Sequence, residues 1–227
     1  PGFEELDTLR WLFCGGEVLP TALVERARAR APSPAYGNFY GPTEATIVAT
    51  WQRCAPGEGA ADQPIGRPVD GVSVHVLDRE LEPVAAGAIG ELCLAGPLAR
   101  GYLGRPALTA ARFVPDPRGE PPGARIYRTG DRARLLADGR LEFCGRLDHQ
   151  LKVRGFRVEP GEVEAALRAH PAVDAAVVLA REIGGARQLV AHVAPDARQV
   201  PARELREHLQ RTLPEYMIPA RVVWHEQ

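Results

Sequence analysis

The sequence predicts an α/β segment carrying a β-rich appendage, followed by a small α+β unit, and three observations carry that prediction. Residues 9–30 run from an apolar, strand-like stretch through two glycines into a helical pattern, the signature of an α/β layer. From Asp62 onward, short stretches of strand character recur with Gly and Pro between them, which suggests a small β-barrel or sandwich. After Asp148 the order becomes helix, two strands, helix and strand. The expected division is therefore 1–147, with a β subdomain at about 62–147, and 148–227.

Leu9 to Glu17 is the first strand, and Gly15-Gly16 ends it either as a plain turn or as a place where another group approaches the backbone. Thr21 is placed to cap a helix through Arg30. A second strand and turn follow in Tyr36-Gly-Asn-Phe-Tyr-Gly-Pro-Thr-Glu44, then a Thr-, Ile- and Val-rich stretch to Trp51. Gly41-Pro42 forces the turn, and Thr43-Glu44 then presents a hydroxyl for a phosphate oxygen beside a carboxylate, a hard ligand for magnesium. Residues 72–77 and 90–96 are further strands, with Asp78 to Pro83 as a turn. A short helix delivers Phe113 to a core, and 116–123 is a loop.

Tyr127-Arg-Thr-Gly-Asp131 is either an ordinary turn or a carboxylate held to accept both hydroxyls of a ribose. Asp138-Gly139 makes a hairpin turn ahead of the strand 141–145. Pro160 opens a helix to Ala169 with Glu162 and Glu164 at its positive end. Strands at 173–180 and 188–193 flank the Gly184-Gly185 turn, an amphipathic helix covers 201–212, and a last strand lies at 221–224.

A formal net charge of -1 gives no overall attraction to nucleic acid or to anionic membranes. The arginines are spread among as many acids, which further disfavours a nucleic-acid module. No stretch approaches ~20 apolar residues and no basic-then-apolar leader opens the sequence, so neither a membrane span nor a signal peptide is expected. Cys14, Cys54, Cys93 and Cys144 lack zinc-type spacing and are expected to be buried, reduced thiols of a cytosolic protein. The first residue is Pro1, as in a piece of a longer chain.

The polar density peaks in Gly145-Arg-Leu-Asp-His-Gln-Leu-Lys-Val-Arg-Gly-Phe-Arg-Val-Glu159. A solvated hairpin edge is one reading. Lys152, however, is the only lysine in an Arg-, Ala-, Pro- and Gly-rich sequence of the kind a GC-rich bacterial genome encodes, and it marks a place for a compact ammonium. The segment resembles the hinge and glycine loop of the adenylation domains of nonribosomal peptide synthetases, members of the adenylate-forming enzymes. Asn38 to Glu44, Tyr127 to Asp131 and Leu213-Pro-Glu-Tyr-Met-Ile-Pro219 match further motifs of that family in the same order, while Ala95 to Tyr102 is one residue shorter than its counterpart.

What the resemblance implies is specific. The fold would be the end of a large α/β adenylate-forming core with a small β-barrel-like subdomain, then a small mobile α+β domain. Gly15, Gly16, Asn38, Tyr40 and Gly41 would surround adenine, Thr43 would touch the α-phosphate, and Glu44 would hold Mg²⁺. Asp131 would bind the ribose of ATP or AMP, with Phe143 packed near it and Arg146 bridging ribose and phosphate. Leu12, Cys14, Phe39, Ile47 and Val48 would wall a pocket for an uncharged, apolar amino-acid side chain, unless Ile47 and Val48 are ordinary strand core. Asp148 would be the hinge, and Lys152, Arg154 and Gly155 would serve transfer to the phosphopantetheine thiol of a carrier protein.

The resemblance puts a glycine-rich phosphate loop and a further lysine outside residues 1–227, so this stretch alone is expected to be inactive. An acyl-CoA or aryl-acid ligase of the same superfamily, and a noncatalytic nucleotide-binding or carrier-docking remnant, are the alternatives.

Overall fold

The computed structural model describes residues 8–119, 123–184, 186–195 and 200–225. The chain divides into two compact units, Pro1–Asp148 and His149–Gln227.

In the first unit, β1 (Trp11–Gly15) lies parallel to β2 (Ala35–Tyr40), and α1 (Thr21–Arg30) makes the crossover between them. β3 (Thr50–Arg53) and β4 (Arg67–Pro68) extend the sheet in the order β1-β2-β3-β4. Strand alternation sends Leu12 and Cys14 toward α1, where they pack with Leu19, Val24, Tyr36 and Cys54. Phe13 points the other way and stacks on Phe39 at 4.4 Å and on Trp11 at 5.3 Å. Gly37, beside Phe13 in the register, admits that ring, since a β-carbon there would lie 2.5 Å from it.

α1 begins at Thr21, but Thr21 is not its cap. Pro20 holds the cap position with no side-chain bond, and the Thr21 hydroxyl instead accepts from Gln63 Nε2 at 3.0 Å. The stretch after Glu44 also departs from expectation. Residues 43–45 form one short 3₁₀ turn, Thr46 and Ile47 take φ of 61° and 73°, and the strand starts only at Thr50. Hydrogen bonds from Ile47 N to Pro42 O and from Ala49 N to Tyr40 O impose that tight loop on residues whose own preference is extended. Ile47 and Val48 are therefore not strand core, and Ile47 is 70% exposed.

The appendage is a second sheet of β5 (Ser73–Leu77), β6 (Ile89–Ala95), β7 (Phe113–Pro115), β8 (Arg125–Leu135) and β9 (Leu141–Arg146). Its order is β5-β6-β8-β7, with β9 also on β8. Among the described residues no closed barrel forms, which corrects the barrel half of the barrel-or-sandwich expectation. The eleven-residue β8 serves β6 along one side and β7 then β9 along the other; among the described residues β5 and β7 do not pair with each other to close the sheet, and Leu141 of β9 is bridged instead to Gly66, beside β4. One face buries Leu92, Leu94, Ala133 and Leu141 against Tyr40, Ala45, Ala49 and Ile65, which joins the two sheets through a shared core. The other buries Leu77, Cys93 and Ile126. Between them, α2 (Pro106–Arg112) starts on a proline and runs straight into β7, delivering Phe113 at 5% exposure. Part of the predicted loop 116–123 lies outside the described residues.

The second unit opens with a hairpin, β10 (Leu151–Val153) against β11 (Phe156–Val158). Its turn residues Arg154 and Gly155 both have positive φ, 53° and 78°, the twist a two-residue hairpin demands. α3 (Pro160–Arg168) leads to a sheet of β12 (Val173–Ile183), β13 (Ala186–Pro195) and β14 (Arg221–Trp224), with α4 (Ala202–Leu209) in the crossover before the parallel strand β14. Val163 with Leu167, and Leu205 with Leu209, sit four residues apart on their helices and are completely buried against Val178, Leu189 and Val193. Gly185 of the predicted glycine turn lies outside the described residues.

Candidate functional site

The site in the first unit is assembled around the turn in β8. Gly130 takes φ 71° and a bulge follows it, which swings Asp131 inward to 3% exposure. Neighbouring side chains hold the turn. The Thr129 hydroxyl donates to Leu92 O at 2.7 Å and accepts from Asp131 N at 2.9 Å. Glu91, across the sheet on β6, accepts from Gly130 N at 3.1 Å and from Arg128 Nε and Nη2 at 3.0 and 2.7 Å.

A carboxylate buried this far requires donors. Tyr40 supplies one, its hydroxyl donating to Asp131 Oδ2 at 2.6 Å, and Arg146 supplies another in an ion pair to Oδ1. Burial and the Asp131 charge push the Tyr40 hydroxyl well above its ordinary range, so it stays a protonated donor at any physiological pH. Arg146 also reaches Asp148, with Nε to Oδ1 at 2.6 Å and Nη2 to Oδ2 at 2.8 Å. Arg112 approaches the same Oδ2 at 3.3 Å. Leu147 N donates to Gly130 O at 2.8 Å and returns the chain to the turn. Asp131 and Asp148 thus face Arg146 and Arg112, two charges of each sign in one patch.

Glu44 lies in the 3₁₀ turn at 8% exposure. Its backbone oxygen accepts from Ala99 N at 2.8 Å and its Oε1 from the Tyr102 hydroxyl at 2.7 Å. Tyr102 is braced edge-on against Phe113, and burial together with its bonds to Tyr127 and Glu44 raises its hydroxyl far above the ordinary range. The one-residue-shorter loop therefore still delivers a tyrosine to Glu44. Among the described residues no group of three or more His, Cys, Asp or Glu converges as a metal cage. A single hard carboxylate is what magnesium needs when phosphates and water complete its shell, so Glu44 fits a phosphate-borne ion.

The remaining predicted residues divide. Gly15 and Gly16 sit exposed at the end of β1, Thr43 is exposed, and Phe143 packs against the core cluster that includes Tyr40. Gly41 allows the 47–49 loop to close, since a β-carbon there would lie 2.3 Å from Ile47 O. Asn38 is buried and its amide nitrogen donates to Pro64 O at 3.0 Å and Gln63 O at 3.4 Å, so it holds the segment that links β3 to β4. The five pocket residues are not brought to one wall: Leu12 and Cys14 lie under α1, Phe39 is stacked on the opposite face, and Ile47 and Val48 are in the loop. Lys152, Arg154 and Gly155 belong to the hairpin of the second unit, where Phe156 stacks on Tyr216 at 4.3 Å.

Sequence reasoning missed Glu91, Thr129, Tyr102 and Arg112. For Glu91 a signal existed. It is a carboxylate inside a strand whose next three residues are fully buried, and such a charge needs a partner.

Residues 2–103 match the family described as AMP-binding enzyme, and residues 162–227 match the AMP-binding enzyme C-terminal domain. The chain is 50% identical over 223 residues to a linear gramicidin synthase of Brevibacillus parabrevis, covering 97% of this chain and 4% of the relative. It is 51% identical over 218 residues to phosphinothricin tripeptide synthetase PhsC of Streptomyces viridochromogenes, covering 95% and 20%. Among solved structures it resembles PA1221, a nonribosomal peptide synthetase protein containing adenylation and peptidyl carrier domains, with a TM-score of 0.84 and 35% identity over 99% of this chain and 45% of that one. The chain therefore spans only a small part of these curated relatives.

Proposed function

The chain belongs to the AMP-binding enzyme family, as part of an adenylation domain of the nonribosomal peptide synthetase type, and from that premise we propose that it serves to activate an amino acid with ATP and pass it to a carrier-protein thiol. The observation that carries this reading is the convergence of Tyr40, Asp131 and Arg146. Three separate motifs, with Tyr40 and Asp131 91 residues apart, meet at one buried carboxylate.

In this reading Asp131 accepts the two ribose hydroxyls through its remaining lone pairs, while Tyr40 keeps its hydroxyl on Asp131 and offers its ring to adenine. Gly15, Gly16, Gly41 and Asn38 complete the adenine wall, and Phe143 packs near the ribose. Arg146 bridges ribose and phosphate, and Thr43 hydrogen-bonds the α-phosphate. Magnesium, held by Glu44 and the phosphates, would neutralise charge on the leaving pyrophosphate. The substrate carboxylate forms its new bond to the α-phosphorus as the bond to pyrophosphate breaks, and the fixed cations stabilise the charge that develops. Asp148 then acts as the pivot that brings Lys152 and the Arg154-Gly155 turn into play for transfer to the phosphopantetheine thiol.

An uncharged, apolar amino-acid substrate is what the resemblance implies from Leu12, Cys14, Phe39, Ile47 and Val48, and it rests on that resemblance, because the fold does not gather the five on one wall. A bacterial, cytoplasmic setting follows the bacterial relatives. No described helix is long and apolar enough to cross a membrane.

The test is ATP–pyrophosphate exchange across the amino acids by the longest natural polypeptide that carries this chain, beside Asp131→Ala. Exchange with an apolar amino acid, abolished in the variant, is the expected result, and residues 1–227 alone are expected to show none. Exchange only with an aryl or fatty acid, followed by thioester formation on coenzyme A, would select the ligase alternative. A folded protein that exchanges with no acid would be the noncatalytic remnant.

A further inference from the structure

The structure assigns a positioning role to Arg112: from α2 it clamps the Asp148 carboxylate to the first unit, so that Asp148 stays anchored when Arg146 turns to a nucleotide. The inference rests on reading Asp148 as the pivot.

Asp148 is the last residue of the first unit. Its carboxylate accepts from Arg146 at 2.6 and 2.8 Å and from Arg112 at 3.3 Å. The two cations are not equivalent. Arg146 is shared with Asp131, the group placed at the ribose, and with Thr129 O, so ligand binding competes for it. Arg112 lies on a different element, at the end of α2, where Phe113 buried next to it fixes the backbone.

Gly130 makes the assembly possible. A β-carbon at that position would lie 2.9 Å from Asp148 Oδ2, 3.0 Å from Arg146 Nη2 and 3.1 Å from Arg112 Nη1. All three charged groups therefore crowd over the same glycine, whose carbonyl also holds Leu147 N. The β8 turn and the approach to the pivot form one piece, and Arg112 is the cation in it that the proposed chemistry does not use.

The Arg112 contact is a single nitrogen–oxygen pair, and the two side chains keep 28% and 31% of their surface exposed. A point charge can replace it, and its loss should open the junction by about two- to fivefold, the range for a part-exposed pair.

The experiment uses the longest natural polypeptide with its carrier. Arg112→Ala should speed amide exchange of the segment 145–149 by about that factor and slow thioester formation by the same order, with pyrophosphate exchange unchanged. Arg112→Lys should restore both. Unaltered exchange at 145–149, or equal loss of both half-reactions, overturns the clamp. Asp148→Pro that still transfers at the native rate sinks the pivot reading, and with it the functional half of this proposal, whatever the exchange data say.

Discussion

Removing the Glu91 carboxylate tests whether the β8 turn is held from across the sheet. Glu91→Ala strips three hydrogen bonds and leaves the buried Gly130 N without an acceptor, a cost of about 1–3 kcal/mol. Arg128 keeps 33% of its side-chain surface, so its lost pair adds only about 0.2–1 kcal/mol. Together these come to about 1–4 kcal/mol. Glu91→Gln preserves an oxygen for Gly130 N and exchanges charge-assisted bonds for neutral ones, for a loss of about 1 kcal/mol. Urea unfolding followed by the emission of Trp11 and Trp51, both in the first unit, reads these values once Trp224 is replaced by Phe. Nucleotide affinity should follow the same order, because the turn that orients Asp131 depends on the Gly130 bond. Equal losses in the two variants would show that the Arg128 pair is what matters. An alanine cost below about 1 kcal/mol would refute the argument that Glu91 holds the turn.

Other consequences are open to direct measurement. Burial raises the Cys54 thiol to about 11 and the Cys93 thiol to about 12, and holds the Tyr40 hydroxyl well above 10. The folded state therefore keeps protons that the unfolded state sheds, so stability is unaffected below about pH 9 and falls as pH rises from 9 through 11–12. A midpoint of thermal unfolding that stays level between pH 9 and 11 would contradict this. Leu205→Ala, at a fully buried position on α4, should cost the second unit about 2–5 kcal/mol, read from Trp224, which packs on that core. Gly155→Ala meets no atom within 4 Å, so only its φ of 78° is strained, and a stability loss of about 1 kcal/mol is expected together with slower thiol transfer and unchanged pyrophosphate exchange.

Much of the architecture was legible because its signals are short-ranged. Pro160 at a helix start, the paired glycines at the end of β1, and the alternation in β5 each act within a few residues. The misreadings arose where distant contacts overrule local preference. Thr21 has a capping hydroxyl, yet Gln63, 42 residues away, claims it. Ile47 and Val48 have strand propensity, yet the closure of residues 42–49 bends them into a loop. Closely spaced strands suggested a barrel or a sandwich, but β5 and β7 at the two ends of the sheet do not pair with each other, and local spacing carries no information about closure.

The candidate site divides in the same way. Sequence alone determined which residue types were available for the proposed nucleotide chemistry: Tyr40, Glu44, Asp131, Arg146 and the single lysine, each in a recognisable short pattern. Only the tertiary structure decided their partners, because a hydrogen bond between residues 91 apart depends on how two sheets share a core and on nothing within either motif. It also brought in Glu91, Tyr102 and Arg112, whose significance lies entirely in the buried charge each one meets.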